Sequence, residues 1–319
     1  MYYPILRGKQ NELLALRDCA DRIGATSIYP VIEPVRDLAT GGGSLRRCLD
    51  SLLTAGAPVA VIINPRVGEY AGDVQATRAL LSIIDELDPD NTSIAAGVNL
   101  DSDGGLGAVV DELVSRPPRP HVYVHTSGAG GPDLALGRLA ALGSDATHLA
   151  AERSRVRRHP AFARPGARVA KLEDTFVRAD SNAGYRDCEP YQFTDWNVYY
   201  SDDGYVGYAD FATIGAAYST SGFTPRAVAI HLTYVNRDDS TIWIQHFVSQ
   251  ADRNTMANVA AKFEEAVAKL VVFADDQGLD NPAIGEFRRL LKAGQFPGLG
   301  VIKRLSLINH LYVAGDTVA

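Results

Sequence analysis

Two chemically capable side chains stand late in apolar runs in the second half of the chain. Asp210 closes GYVGYAD, and His231 lies inside AVAIHLTYV. A carboxylate and an imidazole so placed can move protons together or ligate a cation, provided the two runs are adjacent strands ending on one face. Glu33 holds the same position in SIYPVIEPV, and these three are the candidate catalytic residues. A second group stands at or just beyond the ends of apolar runs: Arg7, Lys9, Asn64, Asn99, His125 and Asp174. These are the candidate ligand-binding residues, with Arg7 and Lys9 able to steady negative charge in a transition state. Acids, two histidines and two bases in one ring could hold a divalent cation through oxygen ligands, or an anion on the basic side. No spacing singles out a metal-ligand set.

Such chemistry needs strands that end together. Runs at 3–6, 27–35, 59–64, 93–99 and 121–126 are each followed by a segment with apolar residues at helical spacing. Near-continuous apolar strands alternating with amphipathic helices imply a parallel sheet buried on both faces. The first strand lacks the G-x-G-x-x-G of a dinucleotide-binding sheet, so the expected fold is α/β, a (β/α)8 TIM-type barrel spanning residues 1–319 as one domain. Beyond residue 147, runs at 148–152, 168–173, 205–211 and 227–234 bring the candidates to nine for eight places. One is therefore accessory: either the first two belong together around 153–168, or one is an edge element outside the barrel. The run at 241–249 can fold back on 227–234 across a turn at 236–240. Residues 180–203, rich in Tyr, Asp and Asn, read as an insertion or lid before the seventh or eighth strand. Ser44 is placed to cap a helix, Arg153–Arg158 reads as a solvated loop, and Met256 to Leu270 carry the clearest helical period. Asn281 or Pro282 opens a further helix, and 305–313 should pack on the outer ring or the barrel base.

Composition narrows the function classes. A formal charge of −7 with no basic stripe argues against general nucleic-acid binding. Cys19, Cys48 and Cys188 lie far apart, with no zinc-site spacing, which fits a reducing compartment. The opening MYYPILRGKQ lacks a secretory pattern and no apolar run reaches membrane-spanning length, so a cytoplasmic protein is expected. The nucleophile elbow, the phosphate loop and H-E-x-x-H are all missing. Glycines at 41–43 and 128–131 read as flexible loops. Asp101 and Asp103 before Gly104 and Gly105 resemble the start of a calcium loop, without the later glutamate.

YYPILRGKQNELLAL, YPVIEPV, VIINP, GYADFATIG, AVAIHLTY and IQHFVS together resemble the phage Beta-protein superfamily, within a bacterial branch of it. The resemblance covers most of the chain and departs after EDTF, where the sequence reads VRADSNAGY. It implies a phage-defence or antitoxin role, in which the barrel binds a co-encoded protein partner and need not catalyse anything. The strand-end residues imply instead an enzyme with an acidic, metal-assisted mouth, a hydrolase acting on a phosphoester or another small anion. The two readings differ in whether the loops or the mouth does the work.

Overall fold

Among the described residues nine strands precede residue 211: β1 (Tyr2–Leu6), β2 (Val31–Ile32), β3 (Val59–Ile62), β4 (Ile94–Asn99), β5 (His121–His125), β6 (Thr147–Ala150), β7 (Arg168–Leu172), β8 (Tyr191–Thr194) and β9 (Tyr208–Asp210). All but β8 close into a barrel in the order β1-β2-β3-β4-β5-β6-β7-β9. Every ladder around it is parallel, and the seam pairs Tyr2 with Tyr208 and Pro4 with Asp210. The computed structural model describes residues 1–100, 105–126, 133–142, 146–158, 162, 166–219, 226–250 and 257–318. Asp101, Asp103, Gly104, the glycines at 128–131 and Met256 lie outside the described residues.

The helices between strands are α1 (Gln10–Asp18), α2 (Ala20–Gly24), α3 (Gly43–Thr54), α4 (Val74–Leu87), α5 (Leu106–Val114), α6 (Asp133–Leu142) and α7 (Arg153–Arg158). The segment 153–158 is thus a short helix rather than a loop, and it separates two strands that each occupy a barrel place. The N-cap of α3 is Gly42 in a left-handed conformation, not Ser44. Side-chain alternation along each strand divides the core in two. Tyr3, Ile5, Val31, Ala60, Ile62, Ala95, Val122, Val124, Leu149, Ala170, Leu172, Ala209 and Phe211 fill the barrel. Their neighbours in sequence face the helices and belong to the larger outer layer. Small residues mark the crowded inner phase. At Gly97 a Cβ would stand 3.1 Å from both the Cα and the N of Ile62, so the barrel has no room there for a side chain.

The ninth candidate strand, the one left out of the barrel, is 227–234. Six residues separate β10 (Ala229–Val235) from β11 (Ile242–Val248), which pairs with it antiparallel, His231 opposite His246. A connection that short joins antiparallel neighbours, whereas a parallel barrel strand needs a crossover of a dozen residues or more. β8 adds to the far edge of β11, giving a three-stranded sheet ordered β10-β11-β8. The region 180–203, between the seventh and eighth barrel strands, supplies β8 and the short α8 (Trp196–Tyr199) to this accessory unit. One face of the sheet meets α9 (Val259–Gln277), with Tyr234 against Phe273 at 5.0 Å. α10 (Pro282–Ala293) opens at Asn281, whose side chain accepts from the N–H groups of Ala283 and Ile284. α11 (Leu299–Thr317) then packs on α1, α10 and β10, filling the eighth helix position of the ring while bracing the accessory sheet. Among the described residues no helix is long and apolar enough to cross a membrane.

The seam where β9 meets β1 depends on Gly207, at which a Cβ would fall 2.1 Å from the carbonyl oxygen of Met1. Gly207→Ala therefore has to push the first strand aside. Urea unfolding should show a loss of about 1–3 kcal/mol, and an unchanged midpoint would contradict this account of barrel closure.

Candidate functional site

The inner phase that fills the barrel continues past the strand ends and sets what reaches the C-terminal mouth, the face on which barrels place their sites. Counting by twos from Ile5 gives Arg7, from Val31 gives Glu33, from Ile62 gives Asn64 and Arg66, from Gly97 gives Asn99, and from Leu172 gives Asp174. Arg7, Glu33, Arg66, Asn99, Lys171 and Asp174 all line one cavity of about 530 Å³, floored by Ile5, Ile62 and Phe211. His125, Thr126 and Glu173 complete its rim.

Glu33 is the hub of this mouth. Its carboxylate is 2% exposed and forms an ion pair with the Arg7 guanidinium, carrying β2 across to β1. The other oxygen accepts from the backbone N–H of Arg66 at 2.7 Å and lies 3.4 Å from the Asn99 amide. Asn64 and Asn99 lock the next two strand ends: the Asn64 amide donates to the Asn99 carbonyl at 2.9 Å, and the Asn99 N–H donates back to Asn64 Oδ1 at 2.8 Å. Asn64 is thus a support behind the cavity. Arg7 also donates to the Ala216 carbonyl and sits 4.9 Å above the Phe211 ring. Together these contacts tie down the segment 212–219, which crosses the mouth. Asp174 accepts from the Ala216 N–H at 3.1 Å, and Lys9 donates to the Ser219 carbonyl at 2.8 Å while lying 4.6 Å from the Tyr218 ring. Lys9 clamps this strap from behind, and burial lowers its pKa. On the opposite rim Lys171 donates to the Ala151 carbonyl and faces the Trp196 ring, whose indole N–H bonds Glu173 at 2.6 Å.

Three candidates fall out of phase with this set. His125 points to the outer layer at the rim, its Nε2 3.1 Å from Nδ1 of His148. Asp210 lies between the inward Ala209 and Phe211 and therefore faces away from the mouth. There it accepts from the Tyr2 hydroxyl at 2.6 Å and the Ala212 N–H at 2.8 Å. Tyr2 has one hydroxyl hydrogen, given to Asp210, so His310 Nε2 must donate to Tyr2 across 2.7 Å and His310 Nδ1 accepts from Thr233 at 3.1 Å. A buried chain of Asp210, Tyr2, His310 and Thr233 thus joins barrel, C-terminal helix and accessory sheet. Burial lowers His310 to about 3 and raises Asp210 to about 7, Oδ2 of Asp210 having no partner among the described residues. His231 stands farther off, on β10, with Nδ1 2.8 Å from Nδ1 of His246 and Tyr185 and Phe176 packed against its ring. Burial, with His246 beside it, lowers its pKa to about 3. Asp210 and His231 sit in different sheets and do not meet Glu33, so the three expected catalytic residues form no common site.

The mouth is mixed in charge rather than a ring of acids: Arg7, Arg66 and Lys171 balance Glu33, Glu173 and Asp174. Among the described residues no group of three or more His, Cys, Asp or Glu is placed to hold a metal ion, and Glu33 is already neutralised by Arg7. No family model, curated protein or solved structure matches the chain.

Removing one partner of the buried pair strands the other. Arg7→Met should cost about 3–5 kcal/mol, whereas Glu33→Gln, which keeps the acceptor oxygen without its charge, should cost clearly less; equal losses in denaturant titrations would refute the hub role. The buried groups also set a pH response. Unfolded histidines take protons below about 6.5, but His121, His231, His246 and His310 stay neutral in the fold down to about 4, 3, 4 and 3, so stability falls as pH drops through this window. Asp210 opposes this, because its raised pKa of about 7 makes its contribution full below about 4 and lost by 7. Asp210→Asn should therefore lose stability more steeply than the parent between pH 7 and 5, and parallel curves would overturn the assignment.

Proposed function

We propose that the chain recognises a small anion of the phosphoester class in the mouth of its barrel, and that binding, rather than acid–base catalysis by Glu33, Asp210 and His231, is its activity. The observation that supports this is the convergence of Arg7, Arg66 and Lys171 on one cavity of about 530 Å³, a size suited to a small ligand. Two of the three cations are guanidinium groups, whose planar fork matches phosphate and carboxylate oxygens. Glu33 is committed to Arg7 and to the Arg66 N–H, which speaks against its service as a base. Asn99 and Thr126 supply neutral hydrogen-bonding groups at the same wall.

The resemblance to the phage Beta-protein superfamily supports a second reading, in which the chain acts in phage defence or as an antitoxin by gripping a co-encoded protein partner. Between β7 and β9, next to the mouth, Val177 and Tyr199 are 61% and 45% exposed and offer an apolar contact for such a partner. Three free cysteines are in keeping with action in the cytoplasm. Isothermal titration of the purified chain with phenyl phosphate and with inorganic phosphate separates the two readings. The mouth reading expects saturable binding that weakens at least about tenfold in Arg66→Met. No heat from either anion, with stable capture of the product of a neighbouring gene, would replace it by the partner reading.

A further inference from the structure

The opposite end of the barrel holds a second cavity, of about 420 Å³, walled by Tyr3, Tyr29, His121, Thr147 and Arg168 with Pro58 and Pro120 at its edge. It is not an extension of the mouth: Val31, Ala60, Ala95, Leu149 and Ala170, all fully buried, fill the barrel between the two. The N-terminal face of a barrel is ordinarily where side chains serve stability alone. Here that end is polar, and its charge is one-sided. Among the described residues Arg168 is the single cation of the lining, and no Asp or Glu belongs to it. This contrasts with the mouth, where Arg7, Arg66 and Lys171 share the lining with Glu33, Glu173 and Asp174.

Three further features point to an occupant. Tyr3 is 1% exposed, and Thr147 and Arg168 stand against its hydroxyl, offsetting the burial that raises its pKa. The rings of Tyr3 and Tyr29 lie 5.5 Å apart at 31° and form a flat aromatic wall. His121 is 4% exposed, and its Nδ1 has no hydrogen-bond partner among the described residues. A buried ring nitrogen without a partner is costly, and His121 belongs to the wall of this cavity.

We infer that this basal cavity is a binding site for a small planar anion, an aromatic carboxylate, with the carboxylate on Arg168 and Thr147 and the ring against Tyr3 and Tyr29. The site is independent of the mouth and of the function proposed for it. Benzoate is the probe, titrated into the full chain and followed through the ring resonances of Tyr29 and His121 in NMR spectra. Saturable shifts of both are expected, with affinity at least about tenfold weaker in Arg168→Met, whose changed side chain is exposed and leaves the fold intact. Arg168→Lys, which keeps the charge and loses the fork, should fall between the two. Cyclohexanecarboxylate, of equal charge but not flat, should bind several-fold more weakly. Absence of saturable shifts, shifts confined to mouth residues, or equal benzoate affinity in Arg168→Met would overturn the proposal, as would cyclohexanecarboxylate binding as tightly as benzoate.

Discussion

The ion pair between Arg7 and Glu33 is the interaction on which the candidate site depends. Glu33 is almost completely buried and Arg7 nearly so, at 2% and 12% exposure. Two charges brought out of water are stabilised only when their remaining hydrogen-bonding capacity is met. Most of it is met by the parts that shape the mouth: the Arg66 N–H after β3, the Asn99 amide at the end of β4, and the Ala216 carbonyl in the strap beyond β9, while Arg7 Nε has no partner among the described residues. The pair therefore sets the relative positions of four strand ends. Phe211 under the guanidinium closes the floor, adding an aromatic face to a cation already held on its edge.

The fold was readable from pattern because parallel barrel strands are buried on both faces and leave uninterrupted apolar runs, each trailed by a helical period. What the runs do not reveal by hydrophobicity is which residues face the barrel and which face the helices, since both sides are apolar. That ambiguity misplaced Asp210, one residue out of register with the inward set; His125 is also out of register but reaches the cavity at its rim. A usable signal was present in residue size: Ala60, Ala95, Gly97, Ala170 and Ala209 mark the crowded inner phase, and counting by twos from Ile62 would have found Arg66. His231 was misplaced for another reason. An apolar strand in an accessory sheet reads like a barrel strand, and only the five-residue turn at 236–240 betrays its antiparallel partner.

The buried chain from Asp210 to Thr233 explains how one chain carries both a barrel and an added sheet. Tyr2 and Asp210 come from the closing seam of the barrel, His310 and Asn309 from α11, and Thr233 from β10. Polar groups buried together must be matched in geometry, so this chain orients α11 against both units more specifically than apolar packing would. Ala212, whose N–H bonds Asp210, also begins the strap over the mouth with a left-handed backbone. The seam and the mouth are therefore built on adjoining residues.

The central claim is that inward phase, and not lateness in a strand, decides which side chains form the inner wall of the mouth, the out-of-phase Lys171, Glu173 and His125 reaching it only at the rim. It is tested most directly by NMR of the arginine guanidinium and histidine ring resonances during titration with phenyl phosphate. Arg7 and Arg66 should shift together and saturate while His231 and His310 stay fixed. Movement of His231 or His310 with the two arginines unchanged would contradict the account.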